Sequence, residues 1–278
     1  MDVAAPSRPR VLSIAGSDSG GGAGIQADIK AITALGGYAM TAITALTAQN
    51  TCGVHGILPV PLPFIRDQIR CVVDDIGVDA IKTGMLGGVA ETRTVAAEIA
   101  EIKQKLPGLV VVVDPVMVAK GGAALLAEDA VAYLCTTLLP LASLITPNLP
   151  EAEKLTGQSI HTVEDMKAAA LWLRERTGAA VLLKGGHMAG EHLVDVLLDH
   201  TGFTEFAGQR IATRHTHGTG CTLASALATT LAQGLTLPEA VRQSRHYVYN
   251  AILQAPELGQ GAGPLWHAHA WHPATRPV

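Results

Sequence analysis

The sequence concentrates phosphate-handling residue types in a few short segments. The most telling is THGTGC at residues 216–221, which opens an alanine-rich helical run. Gly218 and Gly220 free the backbone around Thr219 to turn successive N–H groups into a concave nest, and the helix that starts there adds the positive end of its dipole. That arrangement suits an anion, including a γ-phosphoryl group in transit, whose spread charge is stabilised by fixed N–H donors without reorganisation. Cys221 stands at the mouth of the nest. Helix N-termini lower a cysteine pKa from about 8.5, so Cys221 is expected to carry thiolate character and to accept a proton; the plainer alternative is a small residue filling space under the turn.

Other segments add complementary groups. TPNLPE sets Asn148 and Glu151 three residues apart where a strand passes into a helix, with Pro150 pre-setting the first turn. Their oxygens suit Mg²⁺ held partly through water, the alternative being a capping turn. Lys184 in LLKGGH leaves an apolar strand just before two glycines. It either snorkels to solvent or meets phosphate, and agreement with the other loops favours phosphate. Asp114 ends LVVVVD, where a carboxylate is costly without partners and often functional; its alternative role is to cap the neighbouring loop. Gln49 and Asn50 end another strand-like run and offer amides suited to a neutral heteroaromatic ring. Met85 in KTGM and Val116 in DPVM supply apolar walls for such a ring, or belong to the core.

GSDSGGGAG lacks the lysine and hydroxyl of a Walker loop. Residues 22–27 match G-x-G-x-x-A, yet no acidic residue occurs from Ile29 through Arg66 to meet a ribose. The preferred reading is a loop that brings backbone close to a small substrate, with Asp28 adding a hydrogen bond from the following helix.

The elements that must position these loops follow from periodicity. RVLSIAG then GIQADIKAITALGG reads as strand, loop and helix, and the pattern recurs at VDAIKTGM, LVVVVDPVM and ASLITPN, each followed by a helical run. Such alternation predicts right-handed βαβ units around a mostly parallel sheet. After VEDMKAAALWLRERTG and the strand AAVLLKGG, the runs EHLVDVLLD and FTEFAGQRI predict an antiparallel hairpin at the sheet edge, and helices at about 219–233 and 237–255 close the fold. No linker divides the chain, so residues 1–278 are read as one domain, with terminal extensions at 1–9 and about 256–278, the latter irregular. Ligands of open parallel sheets collect beyond the carboxyl ends of the strands, where all the segments above fall. Gly121–Gly122 is a candidate lid hinge.

Composition excludes several classes. The net charge is −4 and the 20 Lys and Arg form no cluster, which argues against nucleic acid. Only 4% of residues are aromatic against 48% hydrophobic, which suits helices packed on a buried parallel sheet. Cys52, Cys71, Cys135 and Cys221 lack CxxC pairing and read as reduced thiols of a cytoplasmic protein, and no signal peptide or membrane-length apolar run is expected. His267, His269 and His272 read as a solvated or lightly packed terminal segment and not as a metal site.

With these residues in place, the sequence resembles the ribokinase-like superfamily, and more closely the hydroxymethylpyrimidine/phosphomethylpyrimidine kinases of thiamine biosynthesis. IAGSDSGGGAGIQADIK, TALTAQNT, GMLG, DPVM, LITPNLPEAE, LKGGH and THGTGCTLASALA occur in the family's order. The resemblance implies a three-layer α/β/α sandwich that phosphorylates 4-amino-5-hydroxymethyl-2-methylpyrimidine with ATP and Mg²⁺, then its monophosphate, as a homodimer. It implies that Gln49 and Asp28 bind the pyrimidine, with Gly16, Met85 and Val116 around it. Asn148 and Glu151 would support Mg²⁺ and phosphate, Lys184 and Thr219 would meet phosphate, and Gly218, Gly220 and Cys221 would form the anion hole. Cys221, or Asp114 acting indirectly, would help remove the proton. The alternatives are a pyridoxal kinase of the cysteine-bearing type, dual activity, or a non-catalytic binding protein that keeps the fold.

Overall fold

The computed structural model describes residues 8–117, 128–186, 190 and 192–271 of the 278. Its strands are β1 (Arg10–Asp18), β2 (Tyr38–Asn50), β3 (Gly53–Pro59), β4 (Ala80–Thr83), β5 (Val110–Val113), β6 (Leu144–Ile145), β7 (Ala180–Leu183), β8 (His192–Asp199) and β9 (Gly202–Gln209). The helices are α1 (Gly24–Ala34), α2 (Leu62–Asp75), α3 (Val89–Lys105), α4 (Glu128–Tyr133), α5 (Leu149–Thr156), α6 (Val163–Thr177), α7 (Thr219–Ala232) and α8 (Leu237–Leu253). The strands form one sheet in the order β3-β2-β1-β4-β5-β6-β7-β8-β9. The centre from β2 to β7 is parallel, and both ends are antiparallel: β2 with β3, and β7 with the β8–β9 hairpin.

Alternation along the buried strands builds two apolar layers, because successive side chains leave opposite faces of a sheet. Val111, Val113, Val181 and Leu183 face one cluster with Ile65 and Ile69 of α2, Val95 and Ile99 of α3, and Met166 and Leu173 of α6. Val112 and Leu182 face the other, with Ile32 of α1, Leu223 and Leu227 of α7, and Val241 and Val248 of α8. Residues Thr222–Thr230 of α7 are all buried, and its alanines let the helix lie between the sheet, α1 and α8. This is the expected three-layer sandwich. The hairpin, α7 and α8 also match expectation closely.

The sequence reading missed β3 and α2. β3 is mostly exposed and includes glycines and a proline, so it carries no apolar alternation, and the sheet therefore has a second antiparallel edge. Gly121–Gly122 and His272 lie outside the described residues. Residues 256–271 form no helix or strand, but they are not lightly packed: Leu265 and His267 are buried, and the Tyr247 hydroxyl lies 3.1 Å from His267 Nδ1. Burial pushes the His267 imidazole down to about 4.

One charged pair crosses the layers. Lys82 of β4 and Asp28 of α1 are both fully buried, with Nζ 2.8 Å from Oδ2. Ser13 and Ser225 donate hydroxyl protons to the same carboxylate at 2.6 and 2.7 Å, so β1, β4, α1 and α7 meet at Asp28. Burial alone would lower the lysine pKa; the carboxylates, Asp28 foremost and Asp114 with it, outweigh burial and hold the ammonium charged. Lys82→Met strands a buried carboxylate and is expected to cost about 3–5 kcal/mol in urea unfolding. Lys82→Met combined with Asp28→Leu should recover most of that loss, and a single variant as stable as wild type would contradict this role for the pair.

Candidate active site

Loops after β1, β2, β4, β5, β6 and β7 converge with the N-terminus of α7. Gly218 takes a left-handed conformation, φ 82°, and a Cβ there would overlap the carbonyl oxygen of Gly22. Only glycine therefore lets the two glycine-rich loops touch. Helix geometry leaves the first amides without intrahelical acceptors. Thr222 N–H is already bonded to Gly218 O at 2.9 Å, and Thr219 ties itself back by donating its hydroxyl to Thr216 O at 2.7 Å. Gly220 and Cys221 follow in the first turn of α7.

A Cβ on Gly220 would lie 3.4 Å from both Asp114 Oδ2 and Lys184 Nζ, which places those groups beside the nest. Lys184 donates to Asp114 Oδ1 at 2.9 Å and Thr146 to the same oxygen at 3.1 Å, leaving Oδ2 toward Gly220. Lys184 is held by its own backbone, whose N–H donates to Pro147 O at 2.9 Å and pairs it with Asn148. Asn148 and Glu151 form a reciprocal capping box at the start of α5: Glu151 N–H donates to Asn148 Oδ1, and Asn148 N–H to Glu151 Oε2, each at 2.9 Å. The capping role is thus observed, while Glu151 stays buried within reach of the Lys184 and Asp114 charges.

Electrostatics favour a cation here. One ammonium faces two carboxylates, and burial, with Asp114 adding to it and Lys184 opposing, pushes Glu151 up to about 7. A magnesium ion would relieve that imbalance, and the carboxylate of Glu151, with one oxygen outside the capping box, suits such an ion. Among the described residues no group of three or more His, Cys, Asp or Glu side chains that could hold a metal ion is assembled.

Three expectations need correction. Cys221 is not a low-pKa thiol: burial pushes it up to about 11, with Asp28 and Asp114 adding to the shift and Lys82 and the Gly24 amide opposing it. Desolvation outweighs the helix dipole. Asp28, expected to bind a ring, has no exposure and gives its oxygens to Lys82, Ser13 and Ser225. Asn50 likewise serves the β2–β3 turn, accepting from Cys52 and Gly53 N–H at 2.9 and 3.2 Å.

Of the remaining ring-side candidates, only Gly16 and Met85 are seen in contact; Gln49 lies against His217 and Val116 beside Asp114. Gln49 Nε2 lies 3.3 Å from His217 Nε2, immediately before Gly218. Gly16 N–H donates to Met85 O at 3.0 Å, and a Cβ on Gly16 would overlap the Met85 methyl group. Val116 follows Asp114, its N–H donating to Asp114 O at 2.8 Å.

Sequence reasoning missed Asp18 and His217. Asp18 accepts from the amides of Gly20, Gly22 and Ala23 at 2.8, 3.1 and 2.8 Å, and lies 2.8 Å from His217 Nε2. Burial opposes its charge, but His217 and the amides prevail and hold the carboxyl below its usual range. An aspartate followed by several glycines is an Asx-turn signal that does announce the first half of this network.

The sequence profile of the family described as phosphomethylpyrimidine kinase matches residues 18–266. The chain belongs to this family. A hydroxymethylpyrimidine/phosphomethylpyrimidine kinase of Streptomyces coelicolor is 48% identical over 94% of the chain and 95% of its own length. A thiamine biosynthesis bifunctional protein of Geobacter sulfurreducens is 52% identical, and the chain spans 52% of it. Among solved structures, a Bacillus subtilis pyridoxal kinase bound to ADP is 40% identical with TM-score 0.86, covering 94% of this chain and 98% of that one. A phosphomethylpyrimidine kinase from Clostridium difficile is 41% identical with TM-score 0.77, covering 88% and 100%. The fold is ribokinase-like and the chain is a kinase.

The raised Glu151 pKa sets a sign. Between an unfolded value near 4.5 and a folded value of about 7, the native state holds the extra proton, so this group's contribution falls as pH rises through that window. Glu151→Gln keeps the capping geometry and removes the ionisation. In magnesium-free buffer it should gain on wild type in thermal unfolding at pH 8 and lose that advantage near pH 4.5, while kinase activity drops. A gap that widens toward acid pH would contradict the assignment.

Proposed function

We propose that the chain transfers the γ-phosphoryl group of ATP to the hydroxymethyl oxygen of 4-amino-5-hydroxymethyl-2-methylpyrimidine, then phosphorylates the monophosphate to the diphosphate. It works as one cytoplasmic kinase domain in a homodimer. The observation that carries this reading is continuity: Gln49 touches His217, Gly218 abuts Gly22, and Gly220 sits on Asp114 and Lys184. A ring on Gln49 between Gly16, Met85 and Val116 thereby faces the anion nest. The names of the relatives above support the same substrate.

In this mechanism the amides of Gly220 and Cys221 receive the migrating PO₃ group, and Lys184 with Thr219 meets the phosphate chain. Asn148 and Glu151 would hold magnesium, which would supply positive charge to the phosphate oxygens. Positioning and charge stabilisation dominate the rate. The hydroxymethyl proton leaves toward Cys221. Because burial keeps the thiol protonated, its working fraction is small near neutrality and grows with pH. Wild-type kcat should therefore climb from pH 6.5 to 9. Cys221→Ala should flatten that limb and lower kcat at least ~10²-fold with KM changed only a few-fold. The same limb in the variant would reduce the thiol to packing.

Pyridoxal is the second reading, favoured by the 0.86 TM-score of the pyridoxal kinase. Parallel assays with both alcohols decide: faster turnover of the pyrimidine is expected, and preference for pyridoxal would overturn the substrate choice.

The dimer reading rests on the outer edge of the sheet. β3 ends the strand order, and the cross-strand partners Leu46 and Leu58 are 45% and 65% exposed, with Ile57, Tyr38 and Phe64 also open. An apolar, unpaired strand edge asks to be covered. The four cysteines, all free, suit a reducing compartment, and no helix among the described residues is long and apolar enough to cross a membrane. Leu58→Asp should convert the dimer to monomer in sedimentation; a wild-type monomer would contradict the assignment.

A further inference from the structure

Proton bookkeeping around Gln49 carries a conclusion about specificity. His217 Nε2 lies 2.8 Å from Asp18 Oδ2 and 3.3 Å from Gln49 Nε2. Asp18 also accepts three backbone N–H groups, so it acts as a carboxylate, which only accepts. The proton on His217 Nε2 therefore points to Asp18, and the same nitrogen has no lone pair left for the Gln49 NH₂. Two donors face each other.

On the other side of the amide two acceptors face each other. Thr47 Oγ1 has one proton, given to Ser17 O at 2.8 Å, yet Gln49 Oε1 lies 3.2 Å from that same hydroxyl oxygen. Turning the Gln49 amide by 180° resolves both conflicts at once. Oε1 then accepts from His217 Nε2–H, shared with Asp18, and Nε2 donates to Thr47 Oγ1.

We infer that Asp18 and His217 fix the orientation of the Gln49 side-chain amide and thereby select which edge of a heterocycle the site reads. The inference rests on the proposed role of Gln49 in ring binding. In this orientation one Oε1 lone pair and one Nε2–H remain for a ligand. That pair complements a ring nitrogen acceptor beside an exocyclic amine, the same bidentate logic by which glutamine reads adenine. A ring with an oxo group and a protonated nitrogen at those positions presents donor and acceptor reversed and is rejected. Asp18 and His217 are positioning residues that act through Gln49. Gly22 is part of the device, because a Cβ there would press on the His217 ring at 2.5 Å.

Two measurements test this on the full chain. Long-range ¹H–¹⁵N spectra of the unliganded protein should show His217 as the Nε2–H tautomer, with Gln49 amide protons giving cross-peaks to Thr47. An Nδ1–H tautomer, or cross-peaks from the Gln49 amide to His217 alone, would overturn the inference without reference to any substrate. Calorimetry with 4-amino-5-hydroxymethyl-2-methylpyrimidine and its 4-oxo analogue then reads specificity. Wild type should prefer the amino ring at least ~30-fold, and His217→Phe, which frees the amide to rotate, should shrink that ratio at least ~10-fold. An equal loss for both rings would mean that His217 merely packs, and would overturn the specificity claim. Wild type that binds neither ring would overturn the substrate reading and the specificity claim together, while the spectra would still report the amide orientation by themselves.

Discussion

Asp18 is the pin of the site. Its carboxylate gathers the β1–α1 loop through three amides and reaches His217 on the loop before α7, so segments almost two hundred residues apart are locked side by side. Backbone amides are weak individual donors, but several converging on one buried carboxylate favour its charged form and fix loop geometry. Everything chemical is referenced to that pin. The nest at Gly218–Cys221 rests on the loop that Asp18 shapes, and Gln49 leans on the histidine that Asp18 holds.

Below and beside the pin, the kinase spends buried charge. Lys82–Asp28 ties β4 to α1 and is reached by Ser225 of α7, and Lys184 and Asp114, 2.9 Å apart, lie beside Gly220. Buried ion pairs are weak stabilisers against apolar packing. Of the two ammonium groups, Lys184 is the one beside Gly220, and Glu151 adds a second buried carboxylate near it. The raised pKa of Glu151 and of Cys221 are two expressions of the same dry environment, which strengthens each interaction with phosphate and penalises each isolated charge.

Much of this was legible from the chain. Strand–loop–helix alternation predicted the parallel sheet, because buried parallel strands must be apolar on both faces and must be joined by helices. The loops at the carboxyl ends of the strands followed from topology, and glycine spacing in THGTGC located the left-handed turn into α7. What failed was whatever depends on long-range burial. The helix dipole argument for Cys221 was sound locally, yet desolvation by burial reversed it. Asp28 looked like a ligand because its partner Lys82 lies 54 residues away on a separate four-residue strand, and no local spacing connects the two. β3 escaped notice since its pattern is that of an exposed edge, not a buried strand. Asp18 was visible only as a turn former; nothing in local spacing pairs it with His217.

The central claim is that a flat nitrogenous alcohol on Gln49 and a phosphoryl group on the α7 amides meet across the loops that Asp18 joins. A crystal structure of the protein with hydroxymethylpyrimidine, magnesium and a non-hydrolysable ATP analogue tests it most directly. The account predicts the ring's amino edge on Gln49, the hydroxymethyl oxygen in line with the γ-phosphorus, and γ-phosphate oxygens on the amides of Gly220 and Cys221. A ring bound away from Gln49, or a γ-phosphate turned away from the head of α7, would contradict it.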